Sequence, residues 1–270
     1  MWIQDIRDLW PDSIIGTGVA KENSITVRFL RSLEKLFYNK ATKTVTVTEG
    51  MAGHIEGKLS ICDRSKVSII PNGCSEEMNR LAEKYIRLKK KQKSFDNEEI
   101  IVGYIGNLGR AQDLQLLVDL IKKAEDNNLI NKKIKFMIAG EGAKKEWFKN
   151  HLTNIDNVVI RDGTNDIKKV AQYYSEIDIF IIPLKNEPVF ETVIPSKVYE
   201  IISFKKPFIH FTKGELEKIG IITGLGVFCD RINLHDVFLK LSKTEDKTAN
   251  NFRILGWKEN SMLFFKELLN

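Results

Sequence analysis

Residues 190–200, FETVIPSKVYE, decide the fold of this chain. They follow an apolar run, 177–182, of the length expected for a buried parallel strand, and Pro183 ends that strand. Pro195 and Ser196 predict a helix start, because proline suits the first turn and serine can cap free N–H groups. The stretch therefore predicts a strand, a loop and the N-terminus of a helix, in that order.

Such a helix N-terminus predicts an anion site, since its unpaired N–H groups and its dipole both favour negative charge. Lys197 adds a positive charge there, and Glu200 shares its helix face. A cation for phosphate beside an acceptor for sugar hydroxyls suits a nucleotide diphosphate. The alternative is a capped helix with an ordinary Lys197–Glu200 surface pair.

Strands and helices alternate on both sides of this stretch. Such alternation predicts an α/β fold with a doubly wound parallel sheet, whose ligands sit at the carboxyl ends of the strands. The predicted strands are 100–105, 134–139, 158–160, 177–182, 208–211 and 226–229, and the helices are 113–123, 143–151, 166–175 and 234–242.

Two more strand ends carry residues that suit a phosphorylated ligand. After 100–105, Gly106 and Gly109 let backbone approach a ligand, and Arg110 can form a forked contact with phosphate. After 134–139, Gly140 and Gly142 allow a base or a ribose to lie close. Each signal is weak alone, and their order and spacing within one sheet give them weight.

The first part of the chain predicts a smaller, similar unit, with strands 2–6, 44–48 and 67–70 and helices 27–38, 49–57 and 76–93. A polar stretch at 94–99 is the predicted boundary. We therefore expect a partial N-terminal domain at 1–93 and a ligand-binding domain at 94–245. Residues 246–270 are expected to form a C-terminal helix that packs back towards the N-terminal part.

Helix 27–38 has an apolar face flanked by basic residues. This face predicts either packing on a sheet, which we favour, or contact with a membrane surface. Its apolar members are Phe29, Leu30, Leu33, Leu36 and Phe37, and Arg28, Arg31 and Lys35 lie off it.

Composition excludes several classes of function. The 270 residues carry a net charge of +6 and are 43% hydrophobic, as in ordinary globular proteins. The basic helix 76–93 lacks interleaved aromatics, so we expect no nucleic-acid partner. Three dispersed cysteines predict neither a zinc ribbon nor a disulfide framework, and favour a reducing cytoplasm. No run suggests a membrane span or a signal peptide, although contact with the inner membrane surface stays open.

Taken together, these motifs resemble GT-B glycosyltransferases of family four. Within that family they are most similar to the bacterial subgroup that adds N-acetylated amino sugars in O-antigen or capsule synthesis. The resemblance covers nearly the whole chain. Its segments are YIGNLGR at 104–110, IAGEG at 138–142, IDIFIIP at 177–183, IPSKVYE at 194–200, DIRDLWPDS at 5–13, VTVTE at 45–49 and IPNG at 70–73.

The resemblance implies transfer of a sugar from a UDP-sugar to a lipid-linked or polysaccharide acceptor, with retention of configuration and without a metal or other cofactor. It implies that Arg110 and Lys197 neutralise the donor diphosphate and that Glu200 accepts from the ribose hydroxyls. Backbone at 106–109, including Asn107, would line the phosphate and sugar. The turn of Gly140, Glu141 and Gly142 would lie by the uracil, and Thr192, Pro195 and Ser196 would complete the donor site.

Two departures from the family pattern shape our expectations. Family members place a glutamate eight positions before Glu200, where this chain has Thr192, so either Glu191 contacts the sugar or that contact is altered. Arg7 and Asp8 stand where many members show His-Asp on the acceptor side.

Members also begin roughly a hundred residues earlier, within the first Rossmann-like domain. We therefore expect a glycosyltransferase with a complete donor half and a partial acceptor half. The second possibility is a non-catalytic nucleotide-sugar-binding subunit. In the second case a partner chain would supply the N-terminal strands. A third alternative is an inactive remnant.

Overall fold

The computed structural model describes residues 1–91, 99–126 and 133–229, together with positions 259 and 262. These residues form two parallel sheets with helices packed around them. The strands are β1 Ile3–Ile6, β2 Lys43–Thr46, β3 Val67–Ile69, β4 Glu99–Ile105, β5 Lys133–Gly140, β6 Val158–Asp162, β7 Ile179–Ile182, β8 Phe208–His210 and β9 Gly226–Phe228. The helices are α1 Asp12–Gly16, α2 Ile25–Lys40, α3 Glu49–Glu56, α4 Glu76–Lys91, α5 Leu114–Asp126, α6 Lys145–His151, α7 Ile167–Glu176, α8 Pro188–Glu191, α9 Ser196–Ser203 and α10 Glu215–Thr223, with a 3-10 helix at Ile61–Lys66.

The larger sheet has the strand order β6-β5-β4-β7-β8-β9, and every pairing in it is parallel. Strands β4, β5 and β6 follow one another towards one edge of the sheet. The chain then crosses back to place β7 beside β4, and β8 and β9 continue towards the other edge. This is the doubly wound order whose ligands bind where the order reverses, at the carboxyl ends of the central strands. The predicted α/β fold is therefore confirmed. In this strand order, the expected ligand site is the crevice at the carboxyl ends of β4 and β7.

Both faces of this sheet are buried, because the side chains of β7 alternate between two apolar clusters. Phe180 and Ile182 pack with α7, α9 and α10, whereas Ile179 and Ile181 pack with α5 and α6. A continuous apolar strand is the expected result, and it explains why 177–182 was recognisable from the sequence.

The smaller sheet has the order β1-β2-β3 and is also parallel. Among the described residues, β1 pairs on one side only, so its other edge is free. Two residues from the larger unit, Val189 and Val193, pack against the core of the smaller one. That core consists of Leu9, Tyr38, Val47, Met51, Ile55 and Leu59.

Helix α2 buries a different face from the one we favoured. Phe29 is 62% exposed, and Leu36 and Phe37 are also exposed, whereas Val27, Glu34 and Tyr38 are buried. The prediction that the apolar stripe packs on a sheet is therefore wrong. The cause is Glu34, whose carboxylate accepts a hydrogen bond from the Lys58 ammonium at 2.7 Å. Because its charge is paired in this way, Glu34 can be buried on the inner face of the helix.

Glu34 belongs to a polar cluster between α1, α2 and α3. Within it, His54 Nε2 lies 3.1 Å from Asp12 Oδ2 and 3.9 Å from Glu34 Oε1. Asp12, Glu34 and His54 could together present ligand atoms to a metal ion. The Lys58 ammonium already lies against both carboxylates, however, so the cluster is an ion-pair network that joins the three helices.

This cluster predicts a loss of stability in mild acid. Burial, and secondarily the Lys58 charge, lower the pKa of His54 below its ordinary value. The unfolded chain therefore binds a proton near pH 6.5 that the folded chain resists, so stability falls as the pH drops below that point. Thermal unfolding between pH 7.5 and pH 5 measures this effect.

A matched variant isolates the contribution of this histidine. His54→Gln is expected to lose less stability than the unaltered chain between pH 7.5 and pH 5. If the variant loses as much stability over this range as the unaltered chain, the pH dependence comes from other groups. Burial also lowers the pKa of His210, so this residue should add a loss of stability in acid of the same sign. The pH dependence that remains in His54→Gln is therefore expected to come in part from His210.

The predicted helix at 234–242 and nearly all of the segment 246–270 lie outside the described residues. The division at 94–99 also stays a prediction, although the two sheets are separate on either side of it.

Candidate functional site

The carboxyl ends of β4 and β7 are tied together by backbone hydrogen bonds. The Asp113 N–H donates to the carbonyl oxygen of Pro183 at 2.6 Å, and the Lys185 N–H donates to that of Ala111 at 3.0 Å. These bonds fix the loops after the two central strands. The two loops that border the crevice are therefore held in place relative to each other.

The loop after β4 presents Arg110 from a fixed backbone. Tyr104 donates its hydroxyl proton to the Asn107 carbonyl at 2.9 Å, and the Gly109 N–H donates to the Gln112 side chain at 3.2 Å. Arg110 is exposed and makes no ion pair with any described residue. A guanidinium of this kind is available to an anionic ligand.

Gly140, the last residue of β5, and Gly142 in the turn after it let this turn pack closely on the loop that follows β4. A Cβ at Gly140 would collide with the carbonyl oxygen of Gly106, and one at Gly142 would collide with that of Leu108. Their small size therefore has a sufficient cause within the protein. Contact of this turn with a base stays a prediction.

Glu141 is already engaged. It accepts from the Lys145 ammonium at 2.7 Å and from the Gly163 N–H at 3.0 Å, and Lys145 also lies 2.6 Å from Asp162 Oδ1. The hydrogen bond from Lys145 holds the pKa of Glu141 below its ordinary range. The carboxylate thus shapes the rim of the site, and the lysine four residues after it in the sequence was the signal that could have predicted this.

Helix α9 begins differently from our prediction. Pro195 occupies the N-cap position, Ser196 is the first helical residue, and no side chain caps the helix. The predicted serine cap is therefore wrong. Pro195 has φ −55° and ψ 134°, an extended conformation that its ring favours and that displaces serine from the cap by one residue.

Lys197 and Glu200 face each other on the first turns of α9. The Lys197 ammonium lies 3.1 Å and 3.4 Å from the two Glu200 oxygens. The two side chains keep 39% and 20% of their surface exposed. A pair of this exposure can open to accept a ligand at low cost.

Glu191 and Thr192 lie where the two sheet units meet. Thr48, the N-cap of α3, donates its hydroxyl proton to the Thr192 carbonyl at 2.5 Å, and the Gly50 N–H donates to Glu215 Oε1 at 3.1 Å. Glu191 is exposed beside this contact. Sequence analysis missed Thr48 and Glu215, because residues more than 140 positions apart carry no local pattern that joins them.

Arg7 and Asp8 follow β1 and are held by their own neighbours. Arg7 donates to Asn72 at 2.6 Å and to Asp5 at 2.8 Å. Asp8 accepts from the Trp10 indole and from Ser13, each at 3.1 Å. Among the described residues, neither side chain pairs with a residue of the predicted donor site.

Together, the doubly wound larger sheet and the smaller parallel sheet beside it define a protein of the GT-B fold class. A family model for glycosyl transferases group 1 matches residues 99–236. This chain therefore belongs to the group 1 glycosyltransferases.

Known relatives agree with this assignment. "Probable glycosyltransferase WbjE" of Pseudomonas aeruginosa is 25% identical over 236 residues, which are 84% of this chain and 56% of that protein. WaaG, a glycosyltransferase involved in lipopolysaccharide biosynthesis, has a similar fold with a TM-score of 0.62 at 13% identity, over 90% of this chain and 65% of its own. HepE of Anabaena, solved in complex with UDP and glucose, gives 0.61 at 14% identity, over 90% and 62%.

The chain spans about half the length of the curated relatives it matches. Of the helices in the part of the chain that the structure describes, none has the length and apolar character to cross a membrane.

Proposed function

We propose that this protein takes part in transfer of an N-acetylated amino sugar from a UDP-sugar to a lipid-linked or polysaccharide acceptor, with retention of configuration. The observation that carries the proposal is the Lys197–Glu200 pair at the start of α9, on the doubly wound sheet of a group 1 glycosyltransferase. The pair offers a cation and a carboxylate on adjacent turns of one helix.

Arg110 and Lys197 are the proposed partners of the donor diphosphate. They lie on the loop after β4 and on the helix that follows β7, the two strands that flank the switch point. As the sugar leaves, negative charge grows on the diphosphate, and two cations and a helix N-terminus stabilise that charge. In this proposal no metal ion is needed for that role.

Glu200 is the proposed acceptor for the ribose hydroxyls. It lies three residues further into the helix than Lys197, and its side chain is only 20% exposed. A carboxylate held there can accept hydrogen bonds beyond the phosphate end of the ligand. The UDP and glucose in the HepE complex support a uridine donor for this fold.

Glu191, with Thr192 behind it, is the proposed contact to the transferred sugar. Its place at the junction of the two units is where a sugar would lie between a donor on one side and an acceptor on the other. Arg7 and Asp8 are the proposed acceptor-side residues on the loop after β1. The role of WaaG in lipopolysaccharide biosynthesis supports a glycan acceptor presented at a membrane surface.

The second candidate function is that of a non-catalytic nucleotide-sugar-binding subunit. It is favoured by one observation, the free edge of β1 in a sheet of three described strands. A partner chain that pairs with this edge would then complete the acceptor side.

The test of the ribose assignment is Glu200→Gln. This change keeps the shape of the side chain but removes its charge, so UDP affinity should fall by roughly tenfold, the value of a charge-assisted hydrogen bond. Pyrophosphate affinity should fall less, because pyrophosphate has no ribose. Calorimetry with both ligands measures the difference.

The matched control is Glu83→Gln, which removes an exposed carboxylate on α4. It should change neither affinity. Equal losses for UDP and pyrophosphate in Glu200→Gln would make Glu200 a structural residue and would remove the ribose from the proposal.

A further inference from the structure

The buried hydroxyl of Tyr174, on α7, has no role in the site as described so far. Tyr174 is fully buried, and its hydroxyl makes no hydrogen bond of ordinary geometry with any described residue. Native proteins rarely leave a buried hydroxyl unsatisfied, because its lost hydration is not recovered. The ring itself is held firmly, stacked between Phe180 and Phe204 with centroids 5.1 Å away on each side. A rigid ring therefore holds this hydroxyl at a fixed place inside the domain.

This donor lies beside the Glu200 carboxylate. Phe204, which stacks on Tyr174, comes four residues after Glu200, and its N–H donates to the Glu200 carbonyl at 3.1 Å. Residues four apart share a helix face, so Glu200 and Phe204 are directed to the same side of α9. Burial raises the pKa of Tyr174, and the Glu200 charge and a hydrogen-bonding interaction with the Glu200 carboxylate raise it further. The hydroxyl is therefore within reach of this carboxylate, although the contact falls short of a hydrogen bond of ordinary geometry.

In this state, Glu200 is held instead by Lys197, at 3.1 Å and 3.4 Å. A diphosphate bound at the start of α9 would compete for that ammonium, because its charge exceeds that of one carboxylate. Glu200 would then lose its partner at the moment when it has to hold the ribose. A second donor is needed to keep the carboxylate ionised and oriented.

We propose that Tyr174 is a positioning residue that takes over Glu200 when Lys197 turns to the donor diphosphate. Its hydroxyl donates to one carboxylate oxygen, and the other oxygen is left to accept from the ribose hydroxyls. The weak contact of the free protein becomes a full hydrogen bond when nucleotide is bound. The inference rests on the proposed function. It adds a physical reason why the site would prefer a ribonucleotide to a nucleotide whose sugar lacks the 2′- and 3′-hydroxyls.

The experiment compares UDP with 2′,3′-dideoxy-UDP by calorimetry on the full chain and on Tyr174→Phe. The variant removes only the hydroxyl, so UDP affinity should fall roughly five- to tenfold, the effect of losing a hydrogen bond to a charged group. Affinity for the dideoxy ligand should not change, so the preference for ribose should shrink. Thermal unfolding should occur at the same or a higher temperature, because a buried unsatisfied group has been removed.

Two further variants make the result specific. Tyr173→Phe, on the same helix and also buried, should leave both affinities unchanged. The double variant Tyr174→Phe with Glu200→Gln should bind UDP with the same affinity as Glu200→Gln alone, because the hydroxyl acts through that carboxylate.

An unchanged preference for ribose in Tyr174→Phe, or an equal loss for both ligands, would overturn the inference while leaving the proposed function in place. If the unaltered chain binds no UDP, both are overturned.

Discussion

Arg110→Ala and Lys197→Ala are each expected to weaken UDP binding by about 1.5–3 kcal/mol, which is roughly a 10- to 150-fold loss of affinity. Each change removes one charge-assisted contact to the diphosphate. Lys197→Ala should have the larger effect, because it also leaves the Glu200 carboxylate without its cation, close to an anionic ligand. Calorimetry with UDP measures both losses.

Arg87→Ala is the matched control. It removes the same unit of charge from an exposed site on α4, where Arg87 pairs with Glu83 at 3.5 Å. Because long-range charge effects are screened in salt, its affinity should stay within experimental error of the unaltered chain. Unchanged affinity in both Arg110→Ala and Lys197→Ala would remove these residues from the donor site.

A polypeptide of residues 1–270 alone is expected to bind donor but to transfer sugar at close to the background rate. In the proposed mechanism the acceptor is presented by the unit around β1–β3, which has three described strands where a doubly wound sheet usually has about five or six. Without further strands and loops the acceptor hydroxyl is not held in line with the anomeric carbon. Positioning supplies roughly 7–11 kcal/mol of barrier reduction in favourable cases, so its loss would be large.

The same surface predicts self-association. Phe29 and Leu36 of α2, with Trp10 on the loop after β1, are 48–62% exposed, and the edge of β1 is unpaired among the described residues. Surfaces of this kind bind partners or aggregate. Replacing two of these side chains, in Phe29→Ser with Leu36→Lys, should reduce association without affecting UDP binding.

Light scattering and a transfer assay with a lipid-linked acceptor measure these outcomes. A monomer with robust turnover on its own would contradict the prediction. It would mean that the acceptor site is built from residues 1–270.

The larger sheet could be predicted from the sequence because its signals are local. Strand β7 is apolar at every position, and each strand of this domain is separated from the next by a helix-length segment. Such a pattern leaves a parallel sheet with both faces covered as the consistent solution. The same pattern places Arg110 on the loop after β4, and Lys197 and Glu200 on a helix between β7 and β8.

The features that could not be predicted depend on contacts distant in sequence. The burial of Glu34 depends on Lys58, 24 residues away, and reverses the apparent apolar face of α2. The glycines at 140 and 142 suggested ligand contact, but the loop that needs their small size follows β4. Tyr174 carried no signal in the sequence, because its hydroxyl reaches Glu200 only through contacts between two helices that are distant in sequence.

We propose that the crevice at the switch point of the larger sheet holds a uridine nucleotide. A crystal structure of the chain with UDP is the decisive measurement. We expect the diphosphate within hydrogen-bonding distance of Arg110 and Lys197, at the start of α9, and a ribose hydroxyl hydrogen-bonded to Glu200. UDP bound elsewhere on the molecule, or bound here with Glu200 still paired to Lys197 and no contact from either cation to phosphate, would contradict it.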